Sequence, residues 1–137
     1  MAYGLTTASA ARISESSRCR DSGTRLQDIR LMHSDLRGAS FKAAWMQMAN
    51  VAGANATGSD WARADLRWAT FPKADLQAAH FRGAELQSAD FTNATLGGAD
   101  FYGSQGLDKA VFSRPLRGVP RNLPPLLHAG WLKAATG

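Results

Sequence analysis

The sequence has little of what disulfide-bonded, metal-binding or membrane-spanning proteins need. Its 137 residues include one cysteine, Cys19, so no internal disulfide can form and a reducing cytoplasm is the expected location. The three histidines, His33, His80 and His128, have no second histidine or cysteine at metal-ligand spacing. No apolar run is long enough for a signal peptide or a membrane span. Hydrophobic packing is therefore left to hold the fold together.

What the sequence has in abundance is a five-residue repeat. Residues 64–103 read, in blocks of five, ADLRW ATFPK ADLQA AHFRG AELQS ADFTN ATLGG ADFYG. Each block opens with alanine and has leucine or phenylalanine two residues later, at a position we call the centre. Five helical steps rotate by about 140° net, and five strand steps reverse the face, so neither continuous element would keep the centres together. A chain that bends once per block instead winds around its own apolar side chains.

The repeat runs well beyond these eight blocks. Sixteen successive centres are non-polar. They are Leu26, Leu31, Leu36, Phe41, Met46, Val51, Ala56, Trp61, Leu66, Phe71, Leu76, Phe81, Leu86, Phe91, Leu96 and Phe101. The position two residues earlier is alanine or serine at every block from Ser34 to Ser104, but it is Ile29 before that. We therefore expect the first coil to be distorted.

The blocks ADLRW, ADLQA, AELQS, ADFTN and ADFYG resemble the A-D/N-L-x-x consensus of the pentapeptide-repeat proteins. The resemblance implies an all-β fold, a right-handed quadrilateral β-helix (a solenoid), here of about four coils. The residues themselves favour four sides, because every twentieth residue from Phe41 to Phe101 is aromatic. In the second coil, Trp61 shares a layer with the small centres Val51 and Ala56, so we expect its ring to point inward.

We divide the chain into three parts. Residues 1–23 are small and polar and are expected to form a flexible arm or partial cap, residues 24–105 the β-helix, and residues 106–137 a C-terminal cap or tail. The pattern slips by one residue near Gly106, which suggests a bulge and at most one further side before four prolines end regular winding. The last twelve residues would form a short helix or turn. Its apolar residues are either an end cap or a homodimer contact, since members of the family dimerise through C-terminal elements; they are Leu126, Leu127, Trp131 and Leu132.

The excess positive charge lies in the tail. Residues 24–105 contain eight basic and eight acidic residues, whereas residues 106–137 contain five basic residues and Asp108. Direct binding of nucleic acid or membrane is therefore not expected of the coil, and prolines interleave with the basic residues of the tail, as is usual for a solvated segment.

Motifs for catalysis are missing as well. No serine lies in a nucleophile elbow, and the glycines of the repeat fall at the last place of their blocks, where the chain turns, not in a phosphate-binding loop. His80 stands between Asp60 and Asp100 at intervals of twenty, which is read as a solvated ladder in preference to an acid–base group. We expect no enzymatic activity, no catalytic or metal-binding residues and no cofactor.

One side of the square, built on Met46 and Leu66, is the candidate binding surface. Its outward side chains on two coils include the candidate partner-binding residues Trp45, Met48, Arg67 and Trp68. Exposed tryptophan and methionine are typical of interface hot spots, although rung-to-rung packing or cover by the N-terminal arm would also explain them. The same side has a column of Gln27, Gln47, Arg67 and Gln87, which we interpret as a structural ladder of bonded amides.

Three functions follow. The first is a non-catalytic module that binds an unidentified protein partner through this side or the tail. The alternative comes from the family, some of whose members mimic duplex DNA and bind and protect type II topoisomerases such as gyrase; that mimicry needs a strongly acidic surface, whereas this coil is neutral. The third is contact of the basic tail with nucleic acid or an anionic membrane.

Overall fold

The computed structural model describes residues 25–113 and 116–123, and these residues wind into a coil held by parallel β-bridges. From the first bridge, Arg25 with Trp45, to the bridge of Glu85 with Gln105, the two partners are always twenty residues apart. Four blocks of five residues therefore complete each turn. The coil has four sides, as the sequence predicted.

Regular elements are few because each side contributes only one bridged residue before the chain turns. In the described residues they are β1 (Asp90–Phe91), a 3-10 helix (Leu107–Lys109) and β2 (Val111–Phe112). Strand β2 pairs in parallel with β1, in the register Asp90 with Val111 and Phe91 with Phe112.

The corners of the coil share one backbone conformation. Every fifth residue from Asp28 to Gly103 has a φ between 55° and 70°, in the left-handed region. Each turn is closed locally, as where the Ala69 N–H donates to the Leu66 carbonyl at 3.1 Å. No corner is a β-branched residue, which tolerates this φ poorly, and six are glycine. The bend predicted at the last place of each block is confirmed.

The interior is filled by the centres. Every centre from Leu31 to Phe101 is at most 1% exposed. The rings of the aromatic column stack from coil to coil, with centroids 4.5 Å apart for Phe41 and Trp61, and 5.0 Å apart for Phe81 and Phe101. Rings of neighbouring columns meet edge to face. The columns predicted from the twenty-residue spacing are therefore present.

Trp61 points inward, as its small neighbours predicted, and its polar atom is satisfied there. The side chains of Trp61, Ala56 and Val51 are all fully buried. The indole N–H donates to the Ser59 hydroxyl at 2.6 Å, and that hydroxyl donates to the Ala56 carbonyl, also at 2.6 Å. Ser59 replaces the usual alanine because a buried indole needs an acceptor.

The expected distortion of the first coil is absent from its described residues. Asp28 has the same φ as later corners, 59°, and the Leu26 N–H donates to the Trp45 carbonyl at 2.6 Å. Ile29 is only partly buried, as is Leu26. Because Ile29 lies in the first described coil, its larger side chain is not held between two layers and the backbone keeps its path.

The winding continues further past Gly106 than predicted. After the 3-10 helix, which supplies the expected bulge, Val111 bridges Asp90 at a spacing of 21 residues. Two more sides follow, where Arg117 bridges Thr95 and Arg121 bridges Asp100. The prediction of at most one further side was therefore wrong.

Pro120 shows why proline does not stop the coil here. It is buried and stands above Ala99, one residue before the Asp100–Arg121 bridge. The Ala99 N–H makes only the local turn bond to the Leu96 carbonyl. Proline in the equivalent position therefore loses a bond within the turn and no bond between coils.

Several predictions lie outside the described residues. These are the arm of residues 1–23, Cys19, and the cap or dimer candidates Leu126, Leu127, Trp131 and Leu132. Across the ranges that the structure describes, no helix has the length and apolar character needed to cross a membrane.

Candidate protein-binding surface

We call the side of the coil whose centres are Met46, Leu66 and Leu86 the tryptophan side. It presents Trp45, 39% exposed, and ends at the corner formed by Met48 and Trp68, 58% and 53% exposed. These are three of the six exposed large apolar residues in the described chain. The structure thus brings the predicted aromatic and thioether side chains together on two adjacent coils.

The backbone at this corner disfavours the residues it carries. Met48 and Trp68 have φ values of 62° and 60°, where a bulky side chain is an outlier. Their coils are directly hydrogen bonded, since the Met48 N–H donates to the Arg67 carbonyl at 3.0 Å. Glycine, asparagine or aspartate would fit this conformation with less strain. Large apolar side chains at two stacked corners therefore need a reason other than folding.

Arg67 is fixed in the middle of the tryptophan side. Its guanidinium donates to both carboxylate oxygens of Asp65, at 2.9 and 2.7 Å, and lies 3.6 Å from the Glu85 carboxylate. The same group lies 5.7 Å from the centre of the Trp68 ring, within reach of a cation–π contact. The candidate residue Arg67 thus connects its own coil to the next and supports the exposed indole.

The electrostatics of this group keep it ionised. Burial raises the pKa of Asp65, but the hydrogen bonds from Arg67 and from the Gln47 amide outweigh it, so the pKa lies below its ordinary value. The Arg67 pKa is raised by Asp65 in return. The pair is therefore a neutral, fixed unit at neutral pH.

Trp45 is held from below by Arg25. The guanidinium of Arg25 lies 5.0 Å from the centre of the Trp45 ring, and the two residues form the first β-bridge. One face of the indole is thus covered by an exposed arginine of the first coil, which positions the ring without burying it.

The glutamine column does not form the amide ladder that was predicted. The Gln47 amide donates to Asp65 at 2.7 Å, not to another glutamine. The side-chain oxygens of Gln47 and Gln87 are buried and have no hydrogen-bond partner in the described part of the chain. The arginine at Arg67 interrupts the column, because its guanidinium can only donate and takes up the carboxylates instead.

Sequence reasoning missed the role of the second place in each block. There the side-chain oxygen of an aspartate or asparagine accepts the backbone N–H two residues later, at 2.8 to 3.3 Å. The residues concerned are Asp35, Asn50, Asn55, Asp60, Asp65, Asp75, Asp90 and Asp100. The recurring D/N of the blocks could have revealed these Asx turns. The carboxylates therefore hold the turns and are not free for catalysis.

His80 lies in the predicted column, bridged to Asp60 on one coil and Asp100 on the next. It is exposed, and Asp100 is engaged elsewhere, by Arg82 at 2.8 Å and Asn122 at 2.6 Å. Within the described ranges, no three His, Cys, Asp or Glu side chains come together in a group that could hold a metal ion. The column is a solvated ladder.

Comparison with known proteins identifies the repeat. The family model of pentapeptide repeats matches residues 49–87 and 73–105, with eight copies. This family winds as a right-handed quadrilateral β-helix, which agrees with the bridges observed twenty residues apart. No curated protein matches the chain.

Solved pentapeptide-repeat structures align with the chain. A protein from Nostoc PCC 7120 is 26% identical, with 98% of this chain and 97% of that chain covered and a TM-score of 0.40. Rfr23 from the cyanobacterium Cyanothece 51142 is 20% identical, with 69% and 67% covered and a TM-score of 0.38. QnrB1, a plasmid-mediated fluoroquinolone resistance protein, is 21% identical, with 66% and 53% covered and a TM-score of 0.27.

Proposed function

This chain is a pentapeptide-repeat protein, and we propose that it is a non-catalytic interaction module that binds a protein partner through its tryptophan side. The observation that carries the proposal is the exposure of Trp45, Met48 and Trp68 together on two adjacent coils. Tryptophan, methionine and arginine are the residues enriched at the centres of protein interfaces.

The rest of the side suits such an interface. Asp65 and Arg67 neutralise each other beside the indoles, and Gln47 is uncharged, so the centre of the patch can lose water at little electrostatic cost. The coil beneath is rigid, because every centre of these coils is buried and every corner is hydrogen bonded. A preformed surface of this kind loses little conformational entropy when it binds.

The test is a pull-down from native lysate with the full chain as bait. The double variant Trp45→Ala/Trp68→Ala should lose one prominent partner that the wild type retains. Tyr102→Ala is the matched control, since Tyr102 is an exposed aromatic residue, 62% exposed, with its own arginine contact from Arg82. An identical set of captured proteins for wild type and double variant would refute the proposed function.

The alternative function, topoisomerase binding by DNA mimicry, is less well supported by the surface. Its carboxylates hold turns, and four of them also lie within 4 Å of a basic group. These ion pairs are Asp35–Arg37, Asp60–Lys42, Asp65–Arg67 and Asp100–Arg82. A DNA mimic would leave such carboxylates unpaired to imitate phosphates.

The tail remains a second place where a partner could be sought, and its C-terminal apolar residues keep the proposal of a homodimer contact open to test. We propose the cytoplasm as the place of action, on the basis of the single cysteine. Light scattering over a range of concentrations, repeated after residues 122–137 are deleted, distinguishes a dimer contact in the tail from an end cap.

A further inference from the structure

Charge is arranged in the same way on both sides of the exposed Met48–Trp68 corner. On the tryptophan side, successive bridges align Arg25, Trp45, Asp65 and Glu85 in one outward column. On the next side, the equivalent bridges align Arg30, Asn50, Thr70 and Asp90. Each column starts with an arginine on the first coil and ends with a carboxylate on the fourth.

Between these ends the surface is neutral. Asp65 is paired with Arg67 through two hydrogen bonds, and Asn50 and Thr70 have no charge. The arginines and the carboxylates are three coils apart, about 14 Å at the usual strand spacing. The midpoint lies between the second and third coils, at the level of Met48 and Trp68.

We propose that the tryptophan side binds a second copy of this chain, with the two coils antiparallel about a twofold axis through the Met48–Trp68 corner. The antiparallel arrangement places Arg25 opposite the second copy's Glu85, and Arg30 opposite its Asp90. The exposed methionines and tryptophans then meet at the centre, surrounded by complementary charge. The inference rests on the proposed function in using the same side, and it names the partner.

The charge pattern also excludes the other symmetric arrangement. A twofold axis parallel to the coils would place Arg25 opposite Arg30 and Glu85 opposite Asp90, so that like charges would meet at both ends. Asp28, the remaining charge at this corner, lies opposite the neutral Ser88 in the antiparallel pair. Repulsion therefore selects one orientation.

The test measures self-association of the full chain by sedimentation velocity, over the widest accessible range of concentration. The surface is small, so we expect a dissociation constant on the order of micromolar. Trp68→Ala should weaken the dimer at least about tenfold, as is usual for a hot-spot tryptophan, while Tyr102→Ala should leave it unchanged. Raising the salt concentration should weaken the wild-type dimer, because its flanking contacts are ionic.

Charge reversal tests the orientation. Arg25→Glu and Glu85→Arg, each alone, should weaken association, because each places two like charges opposite one another twice in the dimer. An equimolar mixture of the two variants should associate again, since every reversed charge then faces its opposite. Circular dichroism and thermal melting of each variant check that the coil stays folded.

The outcomes separate this inference from the proposed function. A wild type that is monomeric at the highest concentration, a dimer indifferent to Trp68→Ala, or a mixture that does not recover would each overturn the second copy as partner. If the pull-down still loses a protein with Trp45→Ala/Trp68→Ala in that case, the proposed function stands with a different partner. A dimer that passes every test while the pull-down is unchanged supports self-association alone.

Discussion

At the scale of the residue, each place in the five-residue block has one physical task. The first and third places face the interior, the fifth adopts a positive φ, and the second accepts a backbone N–H from the turn. The interior places and the turn were predictable, because apolar size and glycine are visible in the sequence. The task of the second place was not, because an aspartate that holds a turn and an aspartate on a charged surface look alike there.

Ser59→Ala should destabilise the protein by about 1–3 kcal/mol. The change removes the acceptor of the Trp61 indole N–H, at 2.6 Å, and leaves a buried donor unpaired. Urea unfolding followed by fluorescence measures the loss, and the free energy of unfolding should fall without a change of slope.

Ser104→Ala is the matched control for this change. Its hydroxyl also occupies the small position but donates only to the Phe101 carbonyl, at 2.8 Å, and the residue is partly exposed. We expect a loss of no more than about 0.5–1.5 kcal/mol. Equal losses at the two serines would show that the indole does not depend on Ser59.

At the scale of the element, the unit is one layer of four centres, and its volume has to be conserved. Ala56→Leu should cost about 1–3 kcal/mol, because the second layer already contains Trp61 and all its side chains are fully buried. Leu96→Met, in the same column of the fourth layer, is the volume-conserving control and should cost less than about 1.5 kcal/mol. Thermal unfolding compares them; an unchanged melting temperature for Ala56→Leu would contradict the packing.

The last partial coil depends on a close backbone contact at Gly118. Its φ is 88°, and a side-chain carbon there would lie 2.5 Å from the Gly97 nitrogen. Gly118→Ala should therefore loosen this coil and speed hydrogen exchange at Leu96 and Gly98, whose N–H groups donate to it at 2.7 and 3.0 Å.

Gly103→Ala provides the comparison for Gly118→Ala. Gly103 has a similar φ of 68°, but a side-chain carbon there would meet its nearest atom at 3.9 Å, an ordinary contact. It carries the cost of the positive φ without the collision. If both variants leave exchange at Leu96 and Gly98 equally slow, the last coil is not held through Gly118.

Asp100 connects the last partial coil to the fourth coil, and its stabilisation should depend on pH. Burial raises its pKa, but bonds from Asn122, the Tyr102 N–H and Arg82 outweigh it and lower the pKa from 3.8 to about 2. Because the folded pKa lies below the unfolded one, the contribution is present above about pH 4 and lost as pH falls towards 2. The free energy of unfolding of wild type should approach that of Asp100→Asn over this range. Carboxyl NMR that placed the midpoint near 4 would contradict it.

At the scale of the whole molecule, the sequence predicted the coil but not its upper end. Sixteen centres in register specify the four-sided winding, because no other structure buries them all. The three further sides after Gly106 escaped prediction, since their spacings of 21 and 22 residues break the period and proline normally ends a strand. The exposed corner was predicted as a surface, whereas its arrangement between opposite charges became visible only when the columns were aligned.

The neutral coil predicts that the purified protein will not inhibit DNA supercoiling by gyrase. Equal numbers of acidic and basic residues in residues 24–105, with carboxylates paired to Arg37, Lys42, Arg67 and Arg82, leave no continuous acidic surface to replace duplex DNA. A supercoiling assay with wild type, compared with a variant in which these four cations are changed to glutamine, measures both the absence and its cause. The variant has a net charge of minus four relative to wild type, so any inhibition should appear there first and weaken with salt. Inhibition by the wild type at concentrations comparable to those of gyrase would instead establish the alternative function and show that charge balance does not decide it.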